Sequence, residues 1–214
     1  MKIAFHSNQL GIRGTEVTMY DYAFYNKKLL GNDSIIIAPS MSDLSTFEKF
    51  KNQFDVWLYD SSDEITEICK KENVDAFWAI KGGENDGIIS KSCKNLIQCV
   101  FRCDEPHGDV YSVQSDYLNN KFKTNHPVIP CIVDLPSMED GLRDVLGIPK
   151  TSLVIGRHGA RETWFNGKGN FDLGQTPWVT DTIEKALNLR NDLWFVFMNT
   201  PEFTEHPRAI FLPE

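Results

Sequence analysis

Short apolar segments alternate with longer segments of helical periodicity over the first two thirds of the chain. The apolar segments are KIAFH, SIIIA, DVWLY, DAFWAI, NLIQCVF, DVYSV and PVIPCIV. Amphipathic helices are predicted between them over residues 14–30, 43–52, 62–73 and 115–122. Strands that alternate with helices in this order form βαβ units and a parallel sheet. The pattern therefore predicts an α/β fold with a Rossmann-like open parallel sheet of seven strands.

A second α/β pattern begins after a segment rich in proline and glycine. The segment LPSMEDGLRDVLGIPKTS has the composition of a linker between domains. Beyond it, SLVIGRHG, LWFVFMN and AIFLP are predicted strands, and TDTIEKALNLR is a predicted helix. We place the boundary near Pro149, with the first domain over 1–149 and the second over 150–214. Open sheets normally continue with further crossovers, so we interpret the second domain as incomplete.

Composition and charge narrow the classes of protein that fit this fold. Hydrophobic residues make up 41% of the chain and charged residues 24%, which is typical of a folded globular protein. Thirty acidic residues against 22 basic ones give a formal charge of -8, the wrong sign for a broad nucleic-acid interface. No apolar run has the length of a membrane span, and the N-terminal residues lack the apolar region of a secretion signal. We therefore expect a soluble protein with no nucleic-acid partner.

The five cysteines favour a reducing compartment. They are odd in number and contain no Cys-x-x-Cys pair, so they indicate neither a disulfide framework nor a zinc cluster. Cys99, Cys103 and His107 recur at every fourth position, but they begin in a strand-like segment that does not suit a helical metal face. We predict a cytoplasmic protein with no metal and no other cofactor.

The first turn between a strand and a helix is a candidate anion site. It follows His6 and contains Gly11, Arg13 and Gly14. In open α/β sheets this turn lies at the carboxyl edge, where ligands bind and where the helix N-terminus attracts phosphate. The spacing is not the G-x-G-x-x-G of dinucleotide enzymes, and a tight structural turn is an equally good interpretation of it.

A second group of candidates follows the predicted strand NLIQCVF. Arg102, Asp104, Glu105 and His107 bring titratable side chains to the same edge of the sheet. A histidine there can act as a base or bind a sugar hydroxyl. The alternative is a structural turn in which His107 stands between proline and glycine.

Basic residues at the start of the second domain form a third group. Arg157 ends a predicted strand, and Arg161 and Lys168 follow it in a polar segment. Guanidinium groups in this position can bind a diphosphate through paired hydrogen bonds. A solvated basic loop would have the same composition.

Several of these stretches together resemble the retaining glycosyltransferases of the GT-B fold, in particular their large family four. KIAFHSNQLGIRGTEVTMYDYA is similar to the opening strand, glycine loop and first helix of these enzymes. HPVIPCIVDLP is similar to the turn that closes their first domain, and SLVIGRHG resembles the strand that opens their donor domain. Here Arg13 and Gly14 replace the more usual pair of glycines.

The resemblance implies transfer of a sugar from a nucleotide-diphosphate sugar to a carbohydrate or other hydroxyl acceptor, with retained configuration. It makes Gly14 a contact to the donor phosphates or the acceptor, His107 the histidine near the reacting sugar, and Arg157 part of the diphosphate clamp, with Arg161 as an addition. No metal is required by this chemistry. The remainder of the donor domain is absent, so we expect the chain alone to be inactive or dependent on that remainder.

Two other functions compete with this interpretation. A non-catalytic module could keep the Rossmann-like scaffold to bind a carbohydrate or a protein, because a fold does not dictate a function. An oxidoreductase with a nucleotide cofactor is disfavoured, because the glycine fingerprint and the ribose-binding acid are missing.

Overall fold

The structure, a computed structural model, describes residues 1–133, 141–157, 176–198, 200 and 202–212. The chain divides into two compact units, Met1–Leu135 and Pro136–Glu214. The sequence places the boundary nearer Pro149, and that position stays a prediction.

The first unit is built on a parallel sheet of six strands. The strands are β1 (Lys2–His6), β2 (Asp33–Pro39), β3 (Asp55–Tyr59), β4 (Ala76–Lys81), β5 (Lys94–Cys99) and β6 (Val110–Val113). The helices are α1 (Gly14–Leu30), α2 (Phe47–Lys51), α3 (Asp63–Lys71) and α4 (Asp116–Phe122). The strand order is β3-β2-β1-β4-β5-β6. The predicted Rossmann-like α/β sheet is therefore confirmed.

Both faces of this sheet are buried, which explains the continuous apolar runs in its strands. Successive residues of a strand point to opposite faces, so Phe77 and Trp78 of β4 belong to two different clusters of buried side chains. Phe77 packs in the cluster that contains Ile65 of α3. Trp78 packs in the cluster that contains Met19 of α1 and Phe50 of α2.

The predicted seventh strand does not form, and that prediction is wrong. Residues 127–133 make only an isolated bridge, between Val128 and Val113. The amide of Val113 donates to the Pro127 carbonyl at 2.9 Å, and the amide of Ile129 donates to the Val113 carbonyl at 2.8 Å. Pro127 has no N–H to donate back to β6, and the Ile129 carbonyl accepts from Gln98 Nε2 at 2.8 Å, so the ladder extends in neither direction. The second helix is also shorter than predicted, since α2 begins at Phe47.

The order of the strands creates a switch point between β1 and β4. The chain moves from β1 outward to β3, then crosses back to β4 and continues to β6. In open α/β sheets, ligands bind outside the carboxyl ends of the strands at such a point. The connections after β4 and β5 contain no helix, so residues 82–93 and 100–109 form irregular loops at this edge.

The second unit contains a smaller parallel sheet. Its elements are α5 (Leu142–Val145), β7 (Leu153–Arg157), α6 (Thr176–Leu189), β8 (Leu193–Met198) and β9 (Ala209–Leu212), and its strand order is β7-β8-β9. Leu187 of α6 is buried against Phe195 and Phe197 of β8. The predicted second α/β unit is therefore present. Within the described residues, no helix has both the length and the apolar character needed to cross a membrane.

Candidate functional site

Three polar side chains at strand ends meet at the switch point of the first sheet. His6 ends β1, Tyr59 ends β3 and Lys81 ends β4. The His6 ring is only 2% exposed, and its Nε2 lies 3.0 Å from the Tyr59 hydroxyl. Its Nδ1 is buried and has no hydrogen-bond partner among the described residues. The strand ends therefore bury an imidazole with one unsatisfied nitrogen.

Burial keeps this imidazole neutral. The pKa of His6 is lowered to about 3, chiefly because burial penalises the charged ring and also because Lys81 is cationic. Asp86 opposes this shift. Burial likewise raises the pKa of Tyr59 to about 12, and the charge of Asp86 adds to the effect. His6 and Tyr59 are thus both uncharged at neutral pH and form a neutral hydrogen bond.

Lys81 acts on His6 through its charge and forms its own hydrogen bonds with the loops at the carboxyl edge. Its side chain is 4% exposed, and its ammonium group donates to the Asp86 carboxylate and to the Ile88 carbonyl at 2.7 Å. A third contact joins its Nζ to Nε2 of His107 at 3.3 Å. Burial lowers the pKa of Lys81, and the ion pair with Asp86 counteracts that shift. The three N–H groups of the ammonium are therefore all directed at protein acceptors.

These partners fix the tautomer of His107. Its Nδ1 lies 2.8 Å from the Glu105 carbonyl oxygen, which can only accept, so Nδ1 carries the proton. Nε2 then accepts from Lys81. The half-buried ring also packs against Tyr111, with 5.3 Å between ring centroids. His107 thus presents a basic nitrogen to Lys81, the nitrogen that would serve a general base or receive a hydroxyl.

The structure places Arg102 and Glu105 beside His107 but pairs them with protein groups. Arg102 binds Asp104 through two hydrogen bonds of 2.7 and 2.8 Å, and its Nη2 lies 3.1 Å from Glu105. The other Glu105 oxygen accepts from the Asn85 amide at 3.1 Å. The pKa of Arg102 is raised, first by its hydrogen bonds to Asp104. Both side chains therefore bind other protein groups in this structure and help to hold the two loops together.

The loop after β4 and the loop after β5 are held together where their backbones approach each other closely. Gly83 has a φ of +130°, which side-chain-bearing residues rarely adopt. A Cβ atom at this position would overlap the Arg102 carbonyl oxygen. The Tyr111 hydroxyl donates to the Gly83 carbonyl at 2.9 Å. Glycine is thus required where the loop after β4 crosses the loop after β5.

The turn between β1 and α1 lies at the same edge and contains the predicted residues Gly11, Arg13 and Gly14. Gly11 is buried, and a Cβ there would press on the Asp43 carboxylate. Arg13 and Gly14 are exposed, and a Cβ on Gly14 would meet open space. Their roles in ligand binding stay predictions.

A buried carboxylate stands at the start of α1. Glu16 is 2% exposed and lies in the first helical turn. It accepts hydrogen bonds from Ser7 Oγ at 2.8 Å, Gln9 Nε2 at 2.9 Å and Thr15 Oγ1 at 2.6 Å. A negative charge near a helix N-terminus is stabilised by the helix dipole. Glu16 therefore already supplies the anion that this helix end favours, and the turn suits an uncharged polar ligand better than a phosphate.

In the second unit, Arg157 ends β7 at the carboxyl edge of the small sheet. Its Nη1 donates to the Thr200 hydroxyl at 2.6 Å, and burial lowers the pKa of the guanidinium. A groove of about 320 Å³ borders Arg157 and is lined mainly by apolar side chains of α5, β7 and β8. Arg161 and Lys168 lie outside the described residues.

No model of a known protein family matches the sequence, and no curated protein matches it. The resemblance to glycosyltransferases stays a prediction, so the geometry of the site carries the functional argument. Within the described part of the chain, no group of three or more His, Cys, Asp or Glu side chains is placed to hold a metal ion.

Sequence reasoning missed His6, Tyr59 and Lys81 as members of this cluster. Each is the last residue of an apolar strand, where the period-two pattern assigns it to the core. A signal was present for Lys81, because a lysine directly after the apolar segment AFWAI must be buried or must begin a loop. Strand-terminal polar residues on neighbouring parallel strands share one edge, and that rule would have grouped all three.

Proposed function

We propose that the chain takes part in glycosyl transfer, moving a sugar from a nucleotide-diphosphate sugar to a hydroxyl acceptor with retained configuration. The observation that carries the proposal is the cluster at the switch point. There the buried ammonium of Lys81 lies 3.3 Å from Nε2 of His107. Both groups form hydrogen bonds with hydroxyls, and a ligand hydroxyl inserted between them would take one bond from each.

The proposal makes a separate statement about each unit. In the first unit, His107 would hold a sugar hydroxyl through Nε2, with its ring oriented by the Glu105 carbonyl. In the second unit, considered by itself, Arg157 would bind a diphosphate group through its guanidinium. Its pKa is lowered by burial, so a bound anion would compensate the cost of keeping the guanidinium charged.

The test is a binding and turnover panel with UDP-, GDP- and ADP-sugars. Binding is measured by calorimetry, and turnover is measured as release of the nucleoside diphosphate with and without a mixture of hydroxyl acceptors. We expect Arg157→Ala to weaken nucleotide-sugar binding by about tenfold or more, because hydrogen bonds to charged groups contribute about 1.5–3 kcal/mol. Arg190→Ala is the matched control, since Arg190 forms an exposed ion pair with Asp192.

Failure of every nucleotide-sugar to bind the unmodified chain would reject this proposal. So would an Arg157→Ala variant that binds the nucleotide-sugar with unchanged affinity.

A non-catalytic binding module is the second candidate, and the pairing of Arg102 and Glu105 favours it. These two predicted ligand-binding side chains bind Asp104, Asn85 and each other, which is the arrangement of a rigid loop frame. Binding of a carbohydrate by the first unit without any nucleotide-sugar turnover would support this function over the enzymatic one.

A further inference from the structure

Two leucines project from the last turn of α1. Leu29 and Leu30 are each 70% exposed, although apolar side chains in this unit are mostly buried. The helix ends directly after them, because Gly31 adopts a left-handed conformation with a φ of +65°. The pair therefore forms an apolar tip at the amino edge of the first sheet.

The tip continues into an apolar groove along α1. The groove has a volume of about 320 Å³ and opens between α1 and the extended segment 127–133. Besides the two leucines, it is lined by Phe5, Tyr22, Tyr25, Asn26, Trp78, Ile129 and Ile132. Ile129 is 38% exposed at its rim. Contiguous exposed apolar surface of this kind marks an interaction site on a folded domain.

Lysines flank the tip. Lys27 and Lys28 immediately precede the leucines and are exposed. The Lys28 ammonium lies 5.3 Å from the centre of the Phe24 ring and 5.4 Å from that of Tyr25. Neither lysine forms an ion pair with another described residue. Long cationic side chains beside apolar ones are suited to a membrane interface, where the apolar groups insert and the charges reach the headgroups.

The amino edge of the first unit carries lysines at the ends of its helices together with aspartates at the starts of its strands. Helices α2 and α3 also end at this edge, where their last turns contain Lys49, Lys51, Lys70 and Lys71, and the strands begin there beside Asp33, Asp55, Asp75 and Asp109. The loops at the carboxyl edge contain Asp43, Asp60, Glu84, Asp86, Asp104 and Glu105. The net charge of -8 therefore does not describe the surface around the tip. An anionic partner therefore meets Lys27 and Lys28 beside the tip, whereas the acidic loops at the carboxyl edge repel it.

We propose that the last turn of α1, with Leu29, Leu30, Lys27 and Lys28, docks the protein on an anionic lipid bilayer. The leucines insert into the headgroup boundary, and the lysines contact lipid phosphates. A second copy of the chain is the other occupant that the experiment below distinguishes. This inference does not depend on the proposed glycosyl transfer.

Vesicle flotation of the full chain tests the proposal. We expect binding to vesicles of phosphatidylcholine mixed with phosphatidylglycerol, and much weaker binding to phosphatidylcholine alone. The double variant L29S/L30S should bind at least about tenfold more weakly, because it removes the inserting groups. K27Q/K28Q should also weaken binding by about tenfold or more, and added salt should reproduce that loss.

Met41→Ser is the matched control for the leucines, since Met41 is 94% exposed but lies after β2 at the carboxyl edge. This variant should bind as the unmodified chain does, and circular dichroism should show that all variants remain folded. The proposal is overturned if the chain ignores anionic vesicles, or if the leucine variant binds them undiminished. Self-association that L29S/L30S abolishes, without any vesicle binding, would assign the surface to a second copy and would also overturn it.

Discussion

Acid should destabilise the first unit through His6. Its pKa changes from 6.5, the ordinary value, to about 3 in the folded protein, first because of burial and second because of Lys81. Asp86 acts in the opposite sense, and Tyr59, hydrogen-bonded to the ring, is neutral throughout this range. Between pH 6.5 and about 3 the unfolded chain therefore binds a proton that the folded protein does not. The neutral ring's contribution to stability is complete above pH 6.5 and is lost as the pH falls.

The size of the effect follows from this difference in proton binding. The free energy of unfolding should fall by up to about 1.4 kcal/mol for each pH unit within the window. Integrated from about pH 7.5 to about pH 5, the loss attributable to His6 is about 2 kcal/mol. His6→Gln removes the titrating group and retains a side-chain amide that can bind the Tyr59 hydroxyl. The variant should therefore lose about 2 kcal/mol less than the unmodified chain over this interval.

The assay is urea unfolding at fixed pH, followed by hydrogen-exchange mass spectrometry of peptides from β1 and β4. This readout reports the first unit separately from the second. The carboxylates titrate alike in both proteins, so they cancel in the comparison. Tyr59→Phe is the control for the hydrogen bond, and it should lower stability by about 1 kcal/mol without changing the pH dependence. Parallel losses in the unmodified chain and His6→Gln would refute the reasoning.

Two further predictions concern the packing of the first unit. Gly83→Ala should lower the free energy of unfolding by about 3 kcal/mol or more in urea unfolding, because its φ of +130° and the facing carbonyl oxygen leave no room for a methyl group. Gly14→Ala should instead be neutral or stabilise by up to about 1 kcal/mol, since its Cβ would meet open space. Equal losses of unfolding free energy in the two variants would contradict the reasoning from backbone conformation and space. Burial raises the pKa of the Cys69 thiol to about 12 and that of the Cys99 thiol to about 11. Iodoacetamide should therefore modify the half-exposed Cys131 in the folded protein and leave Cys69 and Cys99 unmodified. Peptide mass spectrometry measures this, and comparable labelling of Cys99 and Cys131 would show that the core opens.

The sheet could be predicted because local sequence and buried environment agree along it. Strands such as β2 and β4 are apolar throughout, since parallel strands are covered on both faces. The apolar character of residues 127–133 predicted a strand in the same way, and that prediction failed. There the missing N–H of Pro127 and the hydrogen bond of the Ile129 carbonyl to Gln98 stop the pairing, and neither is visible in the hydrophobic pattern.

The candidate site was only partly predictable. The order of strands and loops brings Arg102, Glu105 and His107 to the carboxyl edge, and the sequence pattern indicates that placement. The partners of these side chains depend on the crossing of two loops at Gly83. The hydrophobic pattern of the sequence does not reveal that crossing. Lys81 could be flagged from its place after an apolar segment, but the sequence does not show that Asp86 folds back to pair with it.

The segment 127–133 also bears on how the protein avoids aggregation. An exposed edge strand is a template for pairing with the edge of another molecule. Here the N–H and C=O groups of Val113 are both taken by this segment. On its outer side Pro130 offers no donor to an incoming strand, and the Pro130 carbonyl already accepts from the Tyr22 hydroxyl at 2.6 Å. Pro127 thus limits pairing with β6, while Pro130 hinders the addition of a strand from another molecule.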